Sequence, residues 1–107
     1  MSQIAVFITH RIKVGQREAV QAIWQRHMAP AVQANDGHEA YFYCLDPADP
    51  DVVCAFQMYR DASAAAAFLR TEAYLEYEQE VSPLLLGAPG VKQLVPVWSK
   101  VSSGSDA

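Results

Sequence analysis

A chain of 107 residues with a formal net charge of −4, 51% apolar and 19% charged, has the profile of one ordinary globular domain. Its Lys and Arg residues are scattered, which argues against a nucleic-acid footprint, and no apolar run approaches the roughly 20 residues of a membrane-spanning helix. Two cysteines without a CxxC are too few for a zinc cage or a disulfide framework, and the N-terminus MSQIAVFITHR lacks the basic leader of a signal peptide, so the expectation is a cytoplasmic protein with reduced thiols.

Ile4 to Ile12 reads as the first strand. Ile4, Val6, Ile8, His10 and Ile12 share one face, while Ala5, Phe7 and Thr9 share the other. Both faces are apolar over most of the run, which points to a second sheet packing from outside. Val14-Gly15 turns the chain, with Gly15 a modest N-cap and Glu18 three residues on. A helix is predicted from about Gln16 to Ala34, its buried stripe made of Val20, Ile23/Trp24, His27/Met28 and Ala31/Val32, with Pro30 kinking or ending it a turn early.

Asn35-Asp36-Gly37 is a stop with turn chemistry, and His38 after it is expected in solvent. His38 to Leu45 is a second strand dense in aromatics, and Asp46-Pro47-Ala48-Asp49-Pro50-Asp51 is a loop. Val52 to Tyr59 is the third strand. Asp61 can cap a helix carrying four consecutive alanines, and Thr71 a second one with Tyr74, Tyr77, Val81 and Leu84/Leu85 along one stripe. Gly87-Ala88-Pro89-Gly90 closes the helical part. Val91 to Trp98 is predicted as the fourth strand, Pro96 placing it at an edge or bulge, and residues 101–107 as a disordered tail on a domain of residues 1–100.

The order strand, helix, strand, strand, helices, strand builds an α+β, ferredoxin-like four-stranded antiparallel sheet with helices on one face. A strand delivering its end to two short helices, as Val52–Tyr59 does, is where a pocket is expected. Val14-Gly15, Gly37 with Tyr41, Asp46-Pro47 and Pro50, Tyr59-Arg60-Asp61 with Ala64, and Leu84-Leu85-Leu86-Gly87 together resemble the antibiotic biosynthesis monooxygenase family over roughly residues 3 to 98. The resemblance implies a homodimeric α+β barrel, two sheets face to face, which would explain the doubly apolar first strand. It also implies cofactor-independent oxygenation of a phenol, hydroquinone or anthrone, with a small aromatic molecule as partner and neither flavin nor metal. The family's Glu-x-Trp at the end of strand three is Gln57 and Tyr59 here, and Phe68 and Ala73 stand where the family often has histidines, so haem degradation is not expected.

Such chemistry needs a water-poor cavity, a base and donors for an oxyanion. Gln57 and Tyr59 share a strand face and could donate, or could form a mere boundary pair. His10 is the natural base by residue type, or an exposed histidine at a strand end. Trp24, His27, Tyr41, Tyr43, Phe68, Tyr74 and Tyr77 could wall the cavity; equally, the tyrosines could be core and His27 a hydrogen-bonded boundary residue. Cys44 and Cys54 flank one loop as cross-strand neighbours, expected reduced. No metal site is expected from three widely spaced histidines. A non-catalytic binder or stress-associated dimer on the same barrel is the competing reading.

Overall fold

The computed structural model describes residues 2–100. The expected tail, 101–107, lies outside the described residues. Strand β1 (Ile4–Ile12) leads to helix α1 (Arg17–Ala34), then β2 (His38–Leu45), β3 (Val52–Tyr59), helices α2 (Ala62–Phe68) and α3 (Glu72–Val81), a 3₁₀ turn (Ser82–Leu84) and β4 (Leu85–Leu94). The sheet is antiparallel in the order β2-β3-β1-β4, the α+β ferredoxin-like arrangement expected from the element order.

Alternation along the strands separates two faces. Val6, Ile8, Val53, Ala55, Gln57 and Tyr59 turn toward the helices, where two apolar clusters form. One gathers Val6, Met28, Tyr59, Ala64 and Phe68; the other gathers Ile12, Val20, Ile23, Val53 and Val81. The stripe of α3 packs as predicted, with Val81 buried and Tyr74 and Tyr77 against the clusters. The opposite face carries Phe7, Phe56 and Phe42 side by side across β1, β3 and β2. No described helix is long and apolar enough to cross a membrane.

Both short helices are capped as their sequences predict. The Asp61 carboxylate accepts from Ala64 N–H at 2.8 Å, and Thr71 Oγ1 accepts from Tyr74 N–H at 3.3 Å. The loop before β3 is clamped from α1, because Arg17 donates to the carbonyls of Asp46, Asp49 and Val52 at 2.9, 2.8 and 3.2 Å. Cys44 and Cys54 face each other across β2 and β3 as free thiols.

Three local expectations are corrected. Gly15 is not the cap of α1: it sits at φ +79 in the preceding turn, and Gln16 occupies the cap position without a side-chain bond. Pro30 does not end α1, which runs on to Ala34. Its ring lies on the exposed side, while Met28 is buried beneath it and Ala31 and Val32 pack against the same cluster, which opposes a cost of about 3 kcal/mol. The fourth strand begins at Leu85 and ends at Leu94, so Gly87 to Gly90 lie inside it and Pro96 outside. Pairing with β1 decides this. Between Thr9↔Gly90 and Arg11↔Leu86 three residues of β4 oppose one of β1, a bulge that accepts Gly87 at φ +69 and a Pro89 without a ladder N–H.

Candidate functional site

The helix side of the sheet is not filled. Between α1, α2, α3 and β4 lies an open cleft of about 1250 Å³, larger than the roughly 300–1,000 Å³ usual for small-molecule sites. All five tyrosines of the chain, Tyr41, Tyr43, Tyr59, Tyr74 and Tyr77, line it, together with Trp24 and Phe68. Trp24 stacks on Tyr43 with ring centroids 4.5 Å apart, and its indole N–H donates to Tyr41 Oη at 3.2 Å. Phe68 stands 6.1 Å from Tyr74, which in turn is 6.4 Å from Tyr77. Tyr41 and Tyr43 are alternate residues of β2, Tyr74 and Tyr77 lie three apart on α3, and Trp24 and Phe68 come from α1 and α2.

Burial governs the ionisation of these phenols. Loss of solvent pushes the Tyr41, Tyr43, Tyr59 and Tyr77 hydroxyls up from their ordinary value, and Tyr74 to about 12 with help from Glu78, to which it donates at 3.2 Å. At neutral pH they are neutral donors and acceptors, not bases. Tyr43 Oη is the one buried side-chain polar atom among the described residues without a hydrogen-bond partner.

At the floor of the cleft Gln57 is only 5% exposed, the one buried polar residue among the described residues. Its Oε1 accepts from Tyr59 O–H at 2.7 Å and lies 3.0 Å from His38 Nε2. His38 Nδ1 is 2.8 Å from Asn35 Nδ2, and Asn35 Oδ1 accepts from Gly37 N–H at 3.4 Å. Desolvation lowers the His38 pKa, only partly opposed by the Gln57 bond, so the ring is neutral at pH 7.

His38 is the residue that sequence reasoning misassigned to solvent. It pairs with Tyr59 while Ala40 pairs with Met58, so Glu39 is an extra residue in β2. Simple alternation groups His38 with Ala40 and Phe42 on the bare face; the bulge turns it to the helix side, its ring 4.3 Å from Tyr59 and edge-on to Phe68 at 4.6 Å. The turn sequence Asn35-Asp36-Gly37 was the only signal, and it does not specify a bulge.

Of the other predicted site residues, Gln57, Tyr59, Trp24, Tyr41, Phe68, Tyr74 and Tyr77 come together in the cleft. His27 does not: it faces α3, with Nε2 bonded to Glu80 Oε1 at 2.7 Å, because its position on α1 lies at the seam between the two helices. His10 lies in the cleft wall but at the far end, on β1 opposite the β4 bulge, with Nε2 at 3.2 Å from Gly87 O. A carbonyl only accepts, so Nε2 carries the hydrogen and Nδ1 is the free basic nitrogen. His10 pairs with Val53, four residues along β3 from Gln57, about 13 Å away along the strand. Among the described residues no group of three His, Cys, Asp or Glu gathers as metal ligands would.

A model of the family described as antibiotic biosynthesis monooxygenase matches residues 3–80. A solved structure from Mycobacterium tuberculosis is similar at 26% identity and TM-score 0.80, covering 92% of this chain and 99% of that one. Two others are described as candidate antibiotic biosynthesis monooxygenases. The one from Nitrosomonas europaea has 14% identity, TM-score 0.85 and coverage of 91% and 92%; the one from Chloroflexus aurantiacus J-10-fl has 22%, 0.80, and 92% and 96%. No curated protein sequence matches significantly.

Proposed function

The chain belongs to the antibiotic biosynthesis monooxygenase family, and we propose that it is a cofactor-independent monooxygenase of a phenolic, hydroquinone or anthrone-like aromatic. The observation that carries this reading is the buried Gln57 amide under a cleft walled by aromatic rings. Rings of that kind bury a flat apolar substrate, and an amide N–H aimed at its oxygen stabilises the anion formed on deprotonation. Such a substrate supplies its own electrons to O₂. For an anthrone the ring methylene gives up two hydrogens, one oxygen atom stays on that carbon as a carbonyl, and the other leaves with the hydrogens as water.

In this reading Gln57 holds the substrate oxygen, Tyr59 holds Gln57, and His10 Nδ1 is the base. Because His10 stands at the other end of the cleft, one oxygen cannot serve both; a substrate of two or three fused rings lying along the strands reaches from one toward the other. Trp24, Tyr41, Phe68, Tyr74 and Tyr77 form the walls. The test is oxygen uptake with a hydroquinone and anthrone panel, without added flavin, nicotinamide or metal. Uptake that His10→Ala and Gln57→Leu both diminish is expected; no uptake from a folded protein across the panel removes the reading.

One observation favours a non-catalytic binder instead: among the described residues no free base stands beside Gln57, since His38 is engaged on both nitrogens. That reading predicts ligands that raise the melting temperature with no oxygen consumed.

The proposal includes a homodimer joined through the bare face. Phe42 there is 60% exposed and the Phe7–Phe56–Phe42 row crosses three strands, an apolar surface that a second copy would cover. Beyond β4, Val97 and Trp98 are 96% and 78% exposed, and Trp98 would reach the partner. Sedimentation at micromolar concentration should give a dimer, and Phe56→Asp a monomer; a wild-type monomer removes the barrel.

A further inference from the structure

Gln57 can stand in its pocket in two ways, with its carbonyl or its NH₂ toward Tyr59 and His38, and the two ways present opposite chemistry to the cleft. The surroundings decide between them. Gly37 N–H is a backbone donor and cannot reverse, so the Asn35 atom facing it at 3.4 Å is the oxygen. Asn35 Nδ2 therefore faces His38 Nδ1, which must accept, and the His38 proton lies on Nε2. Nε2–H then donates to Gln57 at 3.0 Å, and the Tyr59 hydroxyl, free to rotate, donates to the same atom at 2.7 Å. Oε1 is thus filled by two donors. The amide nitrogen makes no hydrogen bond within the described residues and is not among their solvent-excluded, unpartnered atoms, so it keeps its access to the cleft that Gln57 lines.

We infer that His38 is a positioning residue: its Nε2–H fixes the Gln57 amide with NH₂ toward the cleft, so the site selects ligands that present an acceptor oxygen, a carbonyl or phenolate. The inference deepens the proposed function and rests on the cleft assigned there. The ring that does this is itself held. Tyr59 lies 4.3 Å from it, Phe68 meets it edge-on at 4.6 Å, and Tyr41 is 5.5 Å away. The turn that carries it is anchored where Gly37 O accepts Arg60 N–H at 2.9 Å and where a Cβ on Gly37 would meet Ala64 Cβ at 2.9 Å.

Protonation of His38 undoes the arrangement, because a hydrogen on Nδ1 would face the Asn35 NH₂. The ionisable groups around the ring are Tyr41 on its own strand and Tyr59 on β3; the turn after α1 contributes Asn35 and α2 Phe68, neither of which titrates. Glu39, next in the chain, is paired with Gln3.

The test compares anaerobic binding of xanthone and xanthene, the same tricycle with and without a carbonyl. Wild type at about pH 8 should prefer xanthone about tenfold, the net worth of one well-placed hydrogen bond. His38→Phe keeps the ring cage and loses the donor, so the ratio should fall to about one. His38→Gln, whose amide can still donate to Gln57, should keep the preference and abolish its decline in acid. A wild-type ratio near one, or a full preference in folded His38→Phe, overturns the inference. If His38→Phe does not fold, the pH profile decides. A preference that fades below the ordinary histidine range of about 6.5 in wild type but not in His38→Gln supports it, and identical profiles overturn it. Xanthone preference without oxygen uptake on any hydroquinone removes the oxygenase reading and leaves this one standing; oxygen uptake without the preference does the reverse.

Discussion

The two ends of the cleft are built from the same pair of central strands and are held in opposite ways. At the Gln57 end the polar atoms facing the core are bonded in series from a backbone N–H, and rings of Tyr59, Phe68 and Tyr41 pin the histidine in that series. At the His10 end a single bond of 3.2 Å joins the ring to a carbonyl in an exposed bulge of an edge strand. The Gln57 oxygen is met by two donors before a ligand arrives, because an unmet acceptor buried there would cost about 1–3 kcal/mol. A partly buried histidine with one such bond, on a central strand but facing the edge-strand bulge, carries a smaller penalty of that kind. In the proposed function the first end would serve recognition and the second proton transfer.

Gln57→Leu should break the comparison most severely. It strands Tyr59 O–H and His38 Nε2–H in the core, lowering stability by about 1–3 kcal/mol, and removes the donor, lowering turnover by about 10²–10³-fold; His10→Ala should change stability by less than about 0.5 kcal/mol while still slowing oxygen uptake. Denaturant unfolding of both variants beside their oxygen-uptake rates checks the contrast, which fails if the two lose equal stability.

Next in size is Gly37→Ala. Its backbone φ is ordinary, so the damage is steric: the new methyl meets Ala64 Cβ at 2.9 Å and pushes α2 away from the turn that carries His38. A loss of about 1–3 kcal/mol is expected, readable in the denaturation midpoint. Tyr59→Phe removes one of two donors to Gln57 and should cost about 0.5–1.5 kcal/mol, with turnover falling about tenfold because His38 still holds the amide. Asp61→Ala should cost about 1 kcal/mol through the lost cap of α2, and an unchanged melting temperature would show that the cap contributes nothing.

The smallest effect is a pH dependence. The folded-state pKa of His38 is lowered, so the unfolded chain binds the proton more readily. The stability held by neutral His38 is therefore present above the unfolded value of about 6.5 and is lost as pH falls through the lower folded value. Melting temperatures recorded between about pH 7 and pH 5 should decline less steeply in His38→Gln than in wild type.

Local patterns settled much of this molecule before any long-range contact was known. Runs of apolar and aromatic β-formers mark Ile4–Ile12, His38–Leu45 and Val52–Tyr59, and Asp61 and Thr71 announce their helices, because these signals depend only on neighbours in the chain. The aromatic wall was legible for the same reason: Tyr41 and Tyr43 on a strand and Tyr74 and Tyr77 on a helix each declare a face. Gln57 and Tyr59, two apart on one strand, were bound to share a side.

What alternation cannot reveal is where it is interrupted. The extra residue at Glu39 swings His38 from the bare face to the core, and the extra residues of β4 set His10 against Gly87 and move the fourth strand from Val91–Trp98 to Leu85–Leu94. A bulge is decided by the strand opposite, through whichever register lets the most apolar surface and backbone bonds close at once. Residue types and spacing thus determined the strands, the capped helices and the ring of tyrosines; pairing between distant strands alone decided which histidine faces Gln57, because a one-residue shift in register exchanges the faces of every side chain beyond it.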